Sequence, residues 1–226
     1  MALLEVCCGN PGSVDAAVAG GARRIELCAS LELDGLTPPV SWLREAKAKY
    51  PALRIHILIR SRAGDFVYTP EEVDTMVLQT EEAQKAGADG IVIGALTPAG
   101  DIDLPAMERL VSAAGNASIT FHRAFDVCRA PFEALEQIIG LGCDRILTSG
   151  QEATAEAGAA RLGELQRRAR GRIGILPGGG VTPGNAARIL AATGCAEIHA
   201  SASVTRDGKK VTDAGRVAEI LRAING

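Results

Sequence analysis

The sequence predicts a single (β/α)8 barrel of the TIM type over residues 1–226, and three observations support this fold class. The chain repeats one pattern: a short β-branched run, a break of Gly, Pro, Ser or Thr, and an amphipathic stretch rich in Ala, Leu and Glu. This alternation is typical of βαβ units in a parallel sheet. The residues are 47% hydrophobic but only 3% aromatic, as expected for an aliphatic core under helices. The pattern occurs eight times, which favours a closed barrel over a doubly wound open sheet.

The elements follow in a regular order along the chain. Strands are expected near 3–7, 24–28, 54–60, 89–93, 118–122, 144–148, 173–176 and 196–199. Helices are expected near 11–20, 39–49, 70–86, 103–114, 131–141, 152–170, 183–193 and 213–224. Thr69-Pro70-Glu71-Glu72 has the pattern of a capping box, and Thr182-Pro183 is expected to begin a helix in the same way. Because no linker or change of composition divides the chain, we expect one domain.

Composition and charge exclude several classes of protein. The formal net charge is −3, and no basic run of the kind found in nucleic-acid-binding proteins is present. The first residues have neither a basic segment nor a long apolar stretch, so we expect no signal peptide, no membrane span and a cytoplasmic location. The six cysteines include no CxxC motif, and in a reducing cytosol they would be free thiols or metal ligands.

Strand alternation predicts a polar barrel interior. Apolar residues should face the helices, which places the residues between them in the lumen. The side chains expected there include Glu5, Cys7, Glu26, Cys28, Arg54, His56, Leu58, Arg60, Thr120, His122, Glu197 and His199. Cys7, Cys28, Arg60, His122 and His199 lie near the carboxyl ends of the strands, where barrel active sites are found. The alternative is a satisfied network of Glu–Arg and Glu–His pairs that only stabilises the barrel.

The two cysteines at the ends of the first two strands are candidate metal ligands. Glu5-Val6-Cys7 and Glu26-Leu27-Cys28 repeat one motif 21 residues apart, which is one βα unit. Neighbouring parallel strands are about 4.8 Å apart, so the thiols of Cys7 and Cys28 should be close. Two soft thiolates suit Cu(I), whereas Zn(II) would need His122 or His199, which are expected to be distant. Simple packing of buried cysteines is the alternative, and it is the better interpretation for Cys8, Cys143 and Cys195; Cys128 is expected in an exposed loop.

A glycine-rich loop suggests a second kind of ligand. Gly178, Gly179 and Gly180 follow the seventh strand, and Ser201 follows the eighth. Loops at these two places often bind phosphate in this fold, through free backbone N–H groups. Thr148-Ser149-Gly150 is expected to add donors. A tight turn that only needs glycine is the alternative.

Catalysis is a weaker expectation. None of the five lysines lies on a predicted strand, which argues against a Schiff-base aldolase. If the protein is an enzyme, His122, Glu26 and Arg60 are the candidate catalytic residues, with His122 and a glutamate as the acid–base pair. The sequence identifies no pair of nucleophile and base.

At this point the chain resembles the CutC copper homeostasis proteins over residues 2 to about 206. The Thr120–Asp126 run, Thr-Phe-His-Arg-Ala-Phe-Asp, is highly specific. The resemblance also rests on Leu4-Glu5-Val6-Cys7, Arg24-Ile25-Glu26-Leu27-Cys28, Gly35-Leu36-Thr37-Pro38, Gly64-Asp65-Phe66-Val67-Tyr68, Leu147-Thr148-Ser149-Gly150 and Pro177-Gly178-Gly179-Gly180-Val181. Two departures are Arg60-Ser61-Arg62-Ala63 in place of Arg-Pro-Arg-Gly, and a short connection through Arg206-Asp207-Gly208 where the family has a longer insert.

The resemblance implies a TIM-type barrel, a cytoplasmic location, a homo-oligomer that is often a dimer, and a role in copper homeostasis. It implies Cu(I) binding by the cysteines that match Cys7 and Cys28. Our first hypothesis is therefore a Cu(I)-binding protein of copper homeostasis. The alternative is a barrel enzyme, of the isomerase or lyase type, acting on a small phosphorylated or carboxylated metabolite. A non-catalytic scaffold is a third, weaker hypothesis.

Overall fold

The fold is taken from a computed structural model that describes residues 1–206 and 209–226, with the backbone alone for Lys209. Strands and helices alternate as predicted, with most bounds within one or two residues of expectation. They are β1 (Leu3–Cys8), α1 (Pro11–Ala19), β2 (Arg24–Leu27), α2 (Val40–Lys49), β3 (Arg54–Leu58), α3 (Pro70–Lys85), β4 (Gly90–Ile93), α4 (Leu104–Ala114), β5 (Ser118–Phe121), α5 (Pro131–Gly140), β6 (Arg145–Thr148), α6 (Ala159–Ala169), β7 (Gly174–Pro177), α7 (Ala186–Thr193), β8 (Glu197–Ala200), β9 (Ser203–Arg206), β10 (Lys209–Thr212) and α8 (Ala214–Asn225).

The eight main strands form one parallel sheet that curves into a nearly closed barrel. Their order is β7-β6-β5-β4-β3-β2-β1-β8, so each strand lies beside its neighbours in the chain. At the junction of β7 and β8, a Cβ atom placed on Gly178 would lie 3.3 Å from Cβ of His199. This order confirms the (β/α)8 barrel and rules out the doubly wound alternative, in which the strand order reverses at a switch point.

The predicted register of the strands is confirmed. Helix-facing residues such as Val6, Ile25 and Ile57 are fully buried under the helices. The predicted lumen residues are buried too, except Glu197, which is partly exposed, and Arg54, which is exposed. Arg54 pairs with Arg24 in the register and so lies on the predicted face, but as the first residue of β3 it lies at the open rim of the barrel, where a long side chain reaches water.

Helix starts show where a local motif suffices and where it does not. The capping box is confirmed, since Thr69 Oγ1 accepts from the Glu72 N–H and the Glu72 carboxylate accepts from the Thr69 N–H. The start at Thr182-Pro183 is wrong, because α7 begins at Ala186. The Thr182 N–H instead donates to Asn185 Oδ1 at 2.8 Å, closing a turn before the helix.

Two loops also differ from expectation. Helix α6 begins at Ala159 and not at 152, because Gly158 packs against Ser149: a Cβ atom on Gly158 would lie 1.9 Å from the Ser149 carbonyl oxygen. Cys128 is buried and not exposed, since the Gln151 amide covers it and donates to the Cys128 carbonyl at 2.6 Å.

After β8 the chain forms an antiparallel hairpin, β9 with β10, before α8. The Asp207-Gly208 part of the predicted short connection lies outside the described residues.

Candidate functional site

The thiols of Cys7 and Cys28 meet at the carboxyl end of β1 and β2. Cys7 lies opposite Glu26 in the register of these strands, and Cys28 directly follows β2. The two Sγ atoms are 3.6 Å apart, and both cysteines are free and buried. The predicted proximity of the two thiols is therefore confirmed.

The separation of the thiols constrains what they can bind. At metal–sulfur bonds of about 2.3 Å, sulfurs 3.6 Å apart subtend an angle of roughly 100° at a shared ion. A linear, two-coordinate ion would need sulfurs about 4.6 Å apart. The geometry is thus that of an ion with three or four ligands.

His199 and Glu26 lie close enough to Cys7 to be further candidate ligands. One ligand atom each from Cys7, Glu26 and His199 lie within 4.8 Å of one another, and all three side chains are buried. His199 Nε2 is 3.8 Å from a Glu26 carboxylate oxygen. The expectation that His199 is distant was wrong, because β8 closes the barrel beside β1 and brings Glu5 opposite His199. His122 is not part of this group.

Glu5 orients the His199 ring toward the thiols. The His199 Nδ1–H donates to the Glu5 carboxylate at 2.9 Å, which leaves Nε2 facing Cys7 and Glu26. A carboxylate behind a ligand histidine is the usual way in which proteins hold such a ring. Burial would raise the pKa of Glu5, but contacts with His199 and His56 and the charge of Arg24 outweigh it and hold the pKa well below its ordinary range.

A buried ion network lies below this group. Arg24 Nε is 2.7 Å from Glu5, and a second Arg24 nitrogen contacts Glu197. Arg145 also contacts Glu197, at 3.2 Å. Sequence reasoning missed Arg24 because it precedes the first apolar residue of its strand. Its position two residues before Glu26, and so on the same face of β2, was the available signal.

The protonation of the group follows from this packing. The hydrogen bond with Cys28, together with burial, raises the pKa of Cys7 well above its ordinary value. Burial also raises the pKa of Glu26, although the nearby His199 partly offsets this. For His199, burial acts to lower the pKa, but contacts with Cys7 and Glu5 and the charge of Glu26 raise it well above its ordinary value. The raised pKa values favour the protonated forms of Cys7, Glu26 and His199, so a metal ion that binds here would have to release protons.

Arg60, a predicted catalytic candidate, binds backbone carbonyl groups of two loops. Its guanidinium donates to the carbonyl oxygens of Leu33, Gly35 and Gly64, at 2.9, 3.0 and 2.7 Å. It thereby ties together the loops after β2 and β3. Among the described residues it forms no ion pair with a carboxylate, so its buried charge is not neutralised.

His122 is buried and electrically neutral. Burial, with the charge of Arg60, lowers the pKa of His122 to about 3. Its Nδ1 accepts the Ala124 N–H at 3.2 Å, so the ring proton is on Nε2. The Nε2 atom is buried and has no hydrogen-bond partner among the described residues. Gly94 makes the space for this ring, because a Cβ atom there would lie 2.6 Å from it.

The predicted anion loop divides into two parts. Gly179 and Gly180 border the cavity at positive φ, whereas Gly178 is packed below it against Leu147 and His199. Ser201 lies at the same edge of the cavity and is exposed. Gly178 is thus unsuited to contact a ligand through its Cα.

The N–H groups of the loop after β6 already have acceptors within the protein. The Asp126 carboxylate accepts from the N–H groups of Ser149 and Gln151, and from the Thr148 hydroxyl. The Gly150 N–H donates to Thr148 Oγ1. The expectation that Thr148-Ser149-Gly150 provides donors for a ligand was therefore wrong, because a side chain of the protein itself occupies the position of the anion.

Several of these groups border one cavity at the carboxyl end of the barrel. Its volume is about 770 Å³, within the range of small-molecule sites. The residues that border it include Cys7, Glu26, Arg60, His122, Gly180 and His199. Cys28 does not border the cavity but lies beside Cys7, and Gly178 lies below it, so the structure brings most of the predicted site residues to one place while their functional roles stay predictions.

Comparison with known proteins identifies the family. The family model described as the CutC family matches residues 2–204. A relative from Bacteroides fragilis, described as a family protein CutC, is 52% identical over 200 residues, which cover 88% of this chain and 80% of the relative. A relative of the same description from Chromobacterium violaceum is 46% identical over 200 residues, covering 88% and 81%.

Solved structures agree with this result. The crystal structure of a proposed copper homeostasis protein CutC from Streptococcus agalactiae has a TM-score of 0.85 and 31% identity, covering 89% of this chain and 99% of that chain. Phosphoribosylanthranilate isomerase from Thermotoga maritima has a TM-score of 0.60 at 12% identity, with both chains fully covered, which shows the fold alone. This chain is a member of the CutC family.

Proposed function

We propose that this protein binds Cu(I) through the thiols of Cys7 and Cys28, and that this binding serves copper homeostasis. The observation that carries the proposal is the pair of buried sulfurs 3.6 Å apart, with the His199 ring near Cys7. The name of the Streptococcus agalactiae structure, a proposed copper homeostasis protein, supports the same role.

The ligand set favours a soft ion of low coordination number. Two thiolates and one imidazole suit Cu(I), which accepts three ligands. Glu26 offers a hard oxygen, which is a poor match for a soft ion. Zn(II) would need Glu26 as the fourth ligand of a tetrahedral site, whereas Cu(I) does not need it.

Competition with a chelator tests the proposal. Wild-type protein should take up one equivalent of Cu(I), and the variant Cys7→Ser/Cys28→Ser should lose stoichiometric binding, because oxygen is a poor ligand for this ion. The matched control is Cys143→Ser/Cys195→Ser, which removes two buried thiols far from the cavity. Equal Cu(I) affinities of the two double variants would refute the proposal. If the wild type bound Zn(II) more tightly than Cu(I) in the same competition, the site would be reassigned to zinc.

Two further expectations accompany this function and are tested separately. Among the described residues no helix is long and apolar enough to cross a membrane. A cytoplasmic location is proposed from the resemblance and from the free thiols. A homodimer is also proposed from the resemblance alone, and light scattering of the purified protein measures it directly.

A further inference from the structure

We propose that the same cavity binds a small organic anion, whose phosphate or carboxylate group lies against the loops after β7 and β8. This site is separate from the thiol pair and does not need copper. It accounts for features of the cavity that a single metal ion does not use.

The backbone at this edge of the cavity offers free donors. Among the described residues, the N–H groups of Gly179 and Gly180 donate no hydrogen bond, although both residues border the cavity. Both have positive φ, 99° and 69°, which a residue with a side chain rarely adopts. Exposed N–H groups after the seventh strand are the usual anion donors of this fold.

The side chains that border the cavity include four cations against three carboxylates, which are those of Glu26, Asp34 and Asp126. Lys210 and Arg216 border it from the hairpin and from α8, and both are exposed to solvent. The Arg123 guanidinium lies 3.5 Å from the position that a Cβ atom on Gly179 would take. Arg123 is paired with Asp126, whose carboxylate is in turn held by the loop after β6, so this aspartate does not cancel the other cations.

Buried polar atoms in the same cavity lack partners, which is an independent indication of a ligand. Arg60 is 4% exposed and has no carboxylate partner, and its Nε donates to nothing among the described residues. His122 is 4% exposed and presents an unpaired Nε2–H. Buried N–H donors without an acceptor, here Arg60 Nε and His122 Nε2, are costly in a folded protein unless a ligand supplies one.

The size and lining of the cavity indicate an organic ligand. About 770 Å³ is far more than a metal ion or an inorganic anion fills. Leu58, Phe66, Val181 and Ile220 add apolar surface between the polar groups. The ligand class is thus a metabolite-sized molecule with an apolar body and at least one phosphate or carboxylate group.

Titration of 15N-labelled protein with inorganic phosphate tests this site. Saturable shifts of the Gly179 and Gly180 amides are expected, beyond those caused by sodium chloride of equal ionic strength. The variant Lys210→Gln/Arg216→Gln should raise the dissociation constant about tenfold. The control Lys85→Gln/Arg222→Gln removes the same charge from exposed positions that do not border the cavity, and should bind as the wild type does.

A parallel titration with citrate distinguishes carboxylate from phosphate as the preferred group. Cys7→Ser/Cys28→Ser should retain anion binding, so failure of copper binding and failure of this site give different results. Shifts that stay linear with phosphate, that match those with chloride, or that involve other amides and not Gly179 and Gly180 would overturn the proposal, and so would equal affinities of the two charge variants.

Discussion

Buried charge is compensated differently in the two halves of the barrel lumen. The lower half is the region around Arg24, near the amino ends of the strands, and the upper half is the region around Arg60 and His122, near their carboxyl ends. In the lower half, Arg24 contacts both Glu5 and Glu197, and Arg145 contacts Glu197, so two cations face two carboxylates. In the upper half, Arg60 has only carbonyl partners and the His122 Nε2–H has none. The lower half is a closed network of the kind that stabilises a fold, and the upper half has buried donors without acceptors.

The difference shows that buried polar groups in one barrel lumen can be present for different reasons, some to stabilise the fold and others for a reason that stability does not explain. The interpretation as a purely stabilising network fits the lower half. It fails for the upper half, where Cys7, the neutral His122 and Arg60, which has carbonyl partners but no carboxylate partner, border a cavity of about 770 Å³. Glu5 joins the two halves, because it contacts Arg24 below and orients His199 above.

Removing the central cation of the lower half should have the largest effect. Arg24→Met leaves the buried Glu5 carboxylate without its main partner and removes one of the two cations at the partly exposed Glu197, and we expect it to lower the free energy of unfolding by about 3–5 kcal/mol. Urea unfolding at pH 7 measures this loss. Arg54 lies opposite Arg24 in the sheet but is exposed, so Arg54→Met is the matched control and should change stability by less than about 0.5 kcal/mol. Similar losses in both variants would contradict the distinction between the halves.

The neutral histidine of the upper half should make stability depend on pH. The pKa of His122 is about 3 in the folded protein, against about 6.5 in an unfolded chain. The unfolded state therefore binds more protons below pH 6.5, so this contribution is complete above pH 6.5 and is lost as the pH falls toward 3. Between pH 6.5 and 4.5 the loss should be about 2–3 kcal/mol.

The variant His122→Asn isolates this effect. Its side-chain oxygen can still accept the Ala124 N–H, as Nδ1 does now, but it does not titrate. Stability of wild type and variant, measured from pH 4.5 to 7.5, should differ in slope below pH 6.5. Parallel curves over this range would show that His122 takes up its proton in the folded protein.

A smaller effect is expected where the two halves meet. His199→Asn keeps a donor to Glu5 but lacks Nε2, so Cu(I) affinity should fall about 10- to 100-fold while two thiols remain. Chelator competition gives the affinity, and thermal unfolding of the metal-free protein checks that the network is intact. Unchanged affinity would mean that the thiols bind without His199.

Sequence alternation predicted most of the site, because a strand between helices and a lumen must alternate its side chains. The proximity of Cys7 and Cys28 followed from their spacing of one βα unit. The role of Arg60 could not be predicted in this way, since its partners are carbonyl groups of two loops. The contacts of Asp126 could not be predicted either, because this residue follows β5 and its carboxylate accepts from N–H groups in the loop after β6.

The amino-acid sequence alone therefore determined the fold, the direction of each lumen side chain and the meeting of two thiols at the carboxyl end of the barrel. These properties depend on periodicity and on neighbours one βα unit apart. Contacts between distant segments decide which buried polar groups have hydrogen-bond or ionic partners. For example, β8 brings His199 to β1, and the loops after β2 and β3 enclose Arg60. Closure of the barrel decides those contacts, and it leaves the upper half with the unpaired donor atoms on which the proposed binding depends.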